Sequence, residues 1–102
     1  MSIMQYMDAT LIYAKKDTYP SGLLIEAVIW QLPEPTADRP HGLKYRLYCG
    51  RNSECIVRYD NETGKGDHIH YGTTEHPYHF SSFGQLVRDF YADIERLTGE
   101  KP

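Results

Sequence analysis

One segment of the chain carries apolar residues at helical spacing, and it comes last. Phe83, Leu86, Val87, Phe90, Tyr91, Ile94 and Leu97 recur every three or four residues, which lines them along one side of an α-helix. Ser82, with Gln85 three residues on, has the form of a capping box, and Gly99 is a C-terminal stop. A helix is therefore predicted over about residues 82–98, with Arg88, Asp89, Asp93, Glu95 and Arg96 as its solvated outer face.

Everything before that helix is written in a different period. Leu43, Tyr45, Leu47 and Cys49 alternate with Lys44, Arg46 and Tyr48, the pattern of a half-buried antiparallel strand. A turn over Gly50-Arg51-Asn52-Ser53 leads to a second such run, Cys55, Val57 and Tyr59 alternating with Glu54, Ile56, Arg58 and Asp60. Residues 9–16 read as a first strand, with Thr10, Ile12 and Ala14 on one face and Leu11 and Tyr13 on the other. Leu23 to Leu32 lacks clean alternation and suits a strand covered on both faces, or a central strand with a twisted end. Between these runs lie the turn Asp17-Thr18-Tyr19-Pro20-Ser21-Gly22 and the proline-rich loop 33–42, which cannot be regular structure. Thr73 to Pro77 reads as a turn and Tyr78-His79-Phe80 as a short last strand. The pattern predicts an α+β fold: a curved, mainly antiparallel sheet of five to six strands, covered by one C-terminal amphipathic helix.

At 102 residues the chain is expected to form a single domain, 1–102. No apolar run of about 18 residues is present, which argues against a membrane-spanning helix. The first eight residues have no basic stretch followed by an apolar one, so a cytoplasmic location is expected. In that compartment Cys49 and Cys55 remain thiols although they flank one turn. The net charge of −3 argues mildly against a protein that coats nucleic acid. Within residues 44–65, however, Lys44, Arg46, Arg51, Arg58 and Lys65 outnumber Glu54, Asp60 and Glu62, a balance compatible with local phosphate contact.

Chemistry is concentrated in Tyr59-Asp60-Asn61-Glu62-Thr63-Gly64-Lys65-Gly66-Asp67-His68-Ile69-His70. Its form is a hairpin with a polar tip, and strand alternation puts His68 and His70 on one face while Asp67, Ile69 and Tyr71 take the other. As a plain hairpin, Asp60 and Asn61 start the turn and Gly64 and Gly66 supply positive backbone dihedrals. That leaves the shared histidine face unexplained. As a metal-independent ribonuclease, His68 and His70 serve as acid and base near neutral pH. Lys65, Arg58 or Arg46, with Lys44 beside them, hold the phosphate, Asp60 or Asp67 orients a histidine, and His41 closes the proline-rich loop that borders the site. Tyr45, Tyr48, Tyr59, Tyr71, Tyr78 and Phe80 offer faces to unstacked bases. As a metal site, His-x-His is completed by Asp60, Asp67, His41, His76 or His79, but no third ligand has a diagnostic spacing. No cofactor is called for.

Taken together, Val28-Ile29-Trp30 with Pro33 and Pro35, His41 with Lys44-Tyr45-Arg46-Leu47, Tyr59-Asp60-Asn61-Glu62, Gly64-Lys65-Gly66-Asp67-His68-x-His70, Pro77-Tyr78, Phe80 and Asp89-Phe90 resemble the TumE-like toxins of prokaryotic toxin–antitoxin modules. The resemblance spans roughly residues 9–96 and carries the polar signature onto Tyr59, Asp60, Lys65, Asp67, His68 and His70. It implies a small intracellular toxin acting on RNA or translation, with RNA or the ribosome as target and an antitoxin resembling a helix-turn-helix DNA-binding protein as partner. Ile69 stands where the family often has a basic residue, and the acidic net charge also departs from the pattern of RNA-cleaving toxins. The leading expectation is a toxin with endoribonuclease activity. The alternatives are a non-catalytic module that binds a protein partner, and a small His-x-His metal protein.

Overall fold

In the computed structural model, which describes residues 8–102, six strands precede one helix. They are β1 (Thr10–Thr18), β2 (Leu24–Gln31), β3 (Leu43–Arg51), β4 (Glu54–Asp60), β5 (His68–Tyr71), β6 (Thr74–Pro77) and α1 (Phe83–Thr98). Met1 to Met7, most of the segment read for a leader, lie outside the described residues. The sheet order is the chain order, and every neighbouring pair is antiparallel. Consecutive strands pair directly, with no crossover, which makes this meander the simplest α+β arrangement available.

One face of the sheet meets α1, and among the described residues no element packs over the other. Ile25, Ala27 and Ile29 of β2, Tyr45, Leu47 and Cys49 of β3, and Val57 and Tyr59 of β4 are buried against Leu86, Phe90 and Ile94 of the helix. Burying a side chain of leucine or phenylalanine size stabilises by roughly 1.5–3 kcal/mol, so these few residues carry most of the drive to fold. The helix begins where the capping signal puts it, with Ser82 Oγ accepting from the Gln85 N–H at 3.1 Å. Gly99, at φ 77°, ends it by donating its N–H to the Glu95 carbonyl at 2.8 Å.

Four details depart from the sequence pattern. Among the described residues, β2 is covered by α1 on one face only: Glu26, Val28 and Trp30 lie on the side away from the helix, and Val28 stays 39% exposed. Its apolar run reflects hydrophobic residues placed on the face away from the helix as well as on the face against it. In β1, a register shift between Leu11 and Tyr13 puts Leu11 opposite Trp30 and Tyr13 opposite Ile29. The extra residue sends these two side chains to opposite faces, where simple alternation keeps them together. The last strand is Thr74–Pro77, whereas residues 78–80 leave the sheet. Gly72 (φ 59°) and Thr73 form a two-residue turn into that strand, and the Tyr78 N–H, donated to the Asp67 carbonyl, is the last bond to β5's side before the chain turns away. Finally, Asp89 and Asp93 are not solvated surface: Tyr78 donates to Asp89 at 2.6 Å, and Tyr59 and Tyr71 both donate to Asp93, at 2.5 and 2.7 Å.

Candidate functional site

Directly opposed residues of antiparallel strands share a face, so the register lays two rows across the open side. One runs Ala14, Val28, Arg46, Asp60, His68, Pro77, and the next Lys16, Glu26, Tyr48, Arg58, His70, Glu75. His68 and His70 are two residues apart on β5, which separates their Cα atoms by roughly 6.7 Å. Each sits between a carboxylate-bearing neighbour strand on one side or both.

The contacts make this a closed polar network. Arg58 donates Nε–H to Asp60 Oδ2 at 2.8 Å, and Asp60 Oδ1 lies 3.6 Å from His70 Nε2. Glu75, reaching over from β6, lies 3.3 Å from His68 Nε2 and 3.8 Å from His70 Nδ1. The Gly66 carbonyl accepts from His68 Nδ1–H at 2.9 Å. That bond reserves Nδ1 for the proton of the neutral tautomer and leaves Nε2 as the exchangeable position. Asp60 is 6% exposed, and its position between Arg58 and His70 offsets the cost of burying a carboxylate there. Arg46 occupies the neighbouring place in the row on β3.

The remaining predicted site residues are distributed elsewhere. Asp67 turns to the helix side, where it accepts from Tyr45 Oη at 2.5 Å and from His41 Nε2 at 2.9 Å. His41 Nδ1 accepts the Leu43 N–H at 3.1 Å, and its ring lies 4.0 Å from that of Phe80. With Nδ1 accepting and Nε2 donating, this imidazole is neutral and fully engaged, so it acts as a clamp. Tyr45, Tyr59 and Tyr78 belong to that same side, each phenol held by a carboxylate. Burial, and next the hydrogen bond to Asp67, Asp93 or Asp89, raises all three phenols far above their ordinary titration range. Lys65 is exposed in the connection between β4 and β5, outside the histidine network, and its N–H caps a turn by donating to the Glu62 carbonyl at 3.1 Å. Lys44 lies on the open face opposite Trp30.

The proline-rich loop is stapled to the hairpin tip. Arg39 donates Nε–H to the Asn61 carbonyl at 3.1 Å and an Nη2 hydrogen to Thr63 Oγ1 at 3.2 Å, and Gly64 donates its N–H to Asp38 at 2.9 Å. Gly64 and Gly66, at φ 82° and 75°, supply the left-handed turns that let the tip fold back. These links hold the start of β5 in place.

Sequence reasoning missed Glu75, which was absorbed into an expected turn. The Gly72-Thr73 pair was its signal: a two-residue hairpin there pairs Tyr71 with Thr74 and so sets Glu75 opposite His70. Among the described residues, no three histidine, cysteine, aspartate or glutamate side chains are grouped as a metal site, and no helix is long and apolar enough to cross a membrane.

A family model described as Toxin TumE matches residues 4–98. No curated protein and no solved structure matches the chain. The family match takes in all six strands, both faces of the sheet and the helix through Thr98, so the chain belongs to the TumE toxin family.

Proposed function

We propose that this toxin cleaves RNA without a metal, using the open face of the sheet, and that His68 and His70 divide the acid and base roles. The observation that carries the reading is the pair of imidazoles side by side on that face, bracketed by Asp60 and Glu75 and adjoined by Arg58 and Arg46. One neutral histidine takes the proton from a ribose 2′-hydroxyl, and O2′ attacks phosphorus. The P–O5′ bond breaks as the other histidine, protonated, delivers its proton to O5′. The products are a 2′,3′-cyclic phosphate and a 5′-hydroxyl, with no water or co-reactant consumed.

The cations act on the charge that grows on phosphorus. Arg58 spends Nε on Asp60 and keeps its Nη donors for the phosphate oxygens, while Arg46 approaches from the next strand. Asp60 and Glu75 orient the imidazoles, a positioning role. Asp67, His41, Tyr45, Tyr59 and Tyr78 support the scaffold in this reading, and Lys65 lies at its rim.

The test compares wild type with His70→Ala on RNA in EDTA. Wild type is expected to cleave and to leave cyclic phosphate ends, and the variant to lose roughly 10²- to 10⁴-fold in rate, the usual worth of a general acid or base. Equal cleavage by both proteins, or by neither while growth arrest persists, overturns the assignment.

Family membership implies an antitoxin partner, here proposed to be a helix-turn-helix DNA-binding protein. A second reading, a non-catalytic module that works by binding, draws on the edge strand β1, whose Leu11 and Ile12 are exposed. It predicts that His68→Ala and His70→Ala leave growth arrest intact while substitutions of Leu11 and Ile12 abolish association with the antitoxin.

A further inference from the structure

Arg46, in the row beside Asp60, is exposed, and among the described residues no carboxylate pairs with it. A ring holds it instead: its guanidinium carbon lies 5.1 Å from the ring centroid of Tyr48, the next residue along the same face of β3. We propose that Tyr48, laid over Gly50, is a positioning residue that fixes Arg46 beside Arg58, so that the two arginines form a fork for one backbone phosphate. The inference rests on the ribonucleolytic reading above, whose scissile phosphate the fork holds.

Gly50 does not have a positive φ, so conformational freedom is not what asks for glycine here. Space is the reason. A Cβ at this position would come within 2.6 Å of Tyr48 Cζ and of the Glu54 carbonyl oxygen, and closer still to Tyr48 Oη. The phenol therefore occupies the volume that a side chain at residue 50 would fill. At this point of the ladder β4 carries an extra residue, Ile56, which sets Cys55 opposite Gly50.

A carboxylate beside Arg46 would take its N–H donors and cancel its charge, as Asp60 takes Nε–H of Arg58. A ring does neither, because a cation over π electrons keeps its charge and spends no N–H. Tyr48 thus fixes an arginine whose donors remain for an anion. Its neighbour supplies the second prong. Arg46 stands opposite Asp60 and Tyr48 opposite Arg58, and since Arg58 reaches along β4 to Asp60 while Arg46 reaches along β3 to Tyr48, each arginine leans into the other's row. Burial pushes the Cys55 thiol up, while Arg58 and Arg46 both draw it down, as two cations near one thiol do. Like charges brought together repel, and a phosphate between them turns that cost into binding. His70 is the β5 partner of Arg58, so the fork adjoins the histidines.

Tyr48→Leu removes the ring and Tyr48→Phe keeps it. In isotope-labelled protein, ring current is expected to move the Arg46 Cδ protons upfield in wild type and Tyr48→Phe, and Tyr48→Leu to return them to ordinary arginine positions at a nearly unchanged urea midpoint. On RNA in EDTA, Tyr48→Leu is expected to lower kcat roughly 10- to 100-fold, the cost of a small misplacement, and Tyr48→Phe to restore most of it. Added to Arg46→Ala, Tyr48→Leu is expected to cost less than about 2-fold more, because the group it aims is gone. Gly50→Ala is a poorer probe, since its Cβ also presses on the Glu54 carbonyl and lowers stability. Arg46 signals that are the same with and without the ring overturn the seat. A normal kcat in Tyr48→Leu or Arg46→Ala, or full additivity of the two, overturns the positioning role while the ribonuclease reading stands. If wild type does not cleave, titration with a 2′-O-methyl tetranucleotide decides. Shifts of the Nε–H signals of both Arg46 and Arg58 in wild type, and of Arg58 alone in Tyr48→Leu, preserve the fork and remove the catalytic assignment, and any other pattern overturns the fork as well.

Discussion

Asp60 and Asp67 bound the same hairpin, seven residues apart, and their carboxylates end on opposite faces of the sheet. Asp60 meets Arg58 and His70 on the open side, whereas Asp67 meets His41 and Tyr45 on the helix side. Substitutions at the two positions should therefore separate cleavage from stability. Asp67→Ala removes the acceptor of the half-buried His41 Nε2–H and of the buried Tyr45 hydroxyl, and unpaired groups of this kind cost about 1–3 kcal/mol each. The expected loss is about 2–4 kcal/mol, seen as a lower urea midpoint at unchanged m-value, with the kcat for RNA close to wild type. A variant of wild-type stability with abolished cleavage would return Asp67 to the active site. Strand alternation in the sequence already sets Asp67 apart from the histidines. Its partners were not readable, because His41 is 26 and Tyr45 22 residues away along the chain.

At the scale of elements, the junction between β4 and the hairpin tip depends on Asn61. Only 1% exposed, its side chain accepts the Tyr45 N–H at 3.0 Å and donates to the Leu43 carbonyl at 2.8 Å. A side-chain amide thus supplies to β3 the two bonds that a backbone peptide would, which lets the main chain leave the sheet and form the tip. Asn61→Ala strands both groups and is expected to cost about 2–4 kcal/mol, with faster hydrogen exchange at the Tyr45 amide. Unaltered exchange there would show that the amide has another partner. The sequence marked Asn61 as a turn residue, correct for its backbone but silent about its side chain. The helix was legible down to its caps because capping is local. Its polar face was misjudged because Asp89 and Asp93 receive phenols from β4, β5 and the segment after β6, which only the docking of α1 brings near.

The whole molecule is held between sheet and helix by a layer rich in tyrosine, and its alkaline stability should report that layer. The Tyr45, Tyr59, Tyr71 and Tyr78 phenols are raised above their ordinary value of 10.0, and Tyr91 is pushed up to about 12, burial being the first cause throughout. The folded state therefore keeps protons that the unfolded chain releases above pH 10. This contribution is complete below pH 10 and declines as pH climbs towards the folded values, by up to about 1.4 kcal/mol per pH unit for each phenol. Phenolate absorbance from these residues is expected to appear in the same transition in which far-UV circular dichroism is lost. Titration near pH 10 with the fold intact would contradict the packing described.

The residues alone determined an antiparallel sheet of five to six strands followed by one helix, the side of β5 that holds both histidines, and the caps of α1. These are consequences of sterics and hydrophobic spacing over a few residues. Tertiary structure alone decided that Glu75 completes the histidine network, that Asp67 is held by His41 and Tyr45, and that Tyr45, Tyr59 and Tyr78 are tied to carboxylates on the helix side. Each of these depends on register. An inserted residue, as in β1, or a two-residue turn, as at Gly72-Thr73, decides which side chains stand opposite one another, and a shift of one position moves every following residue to the other face.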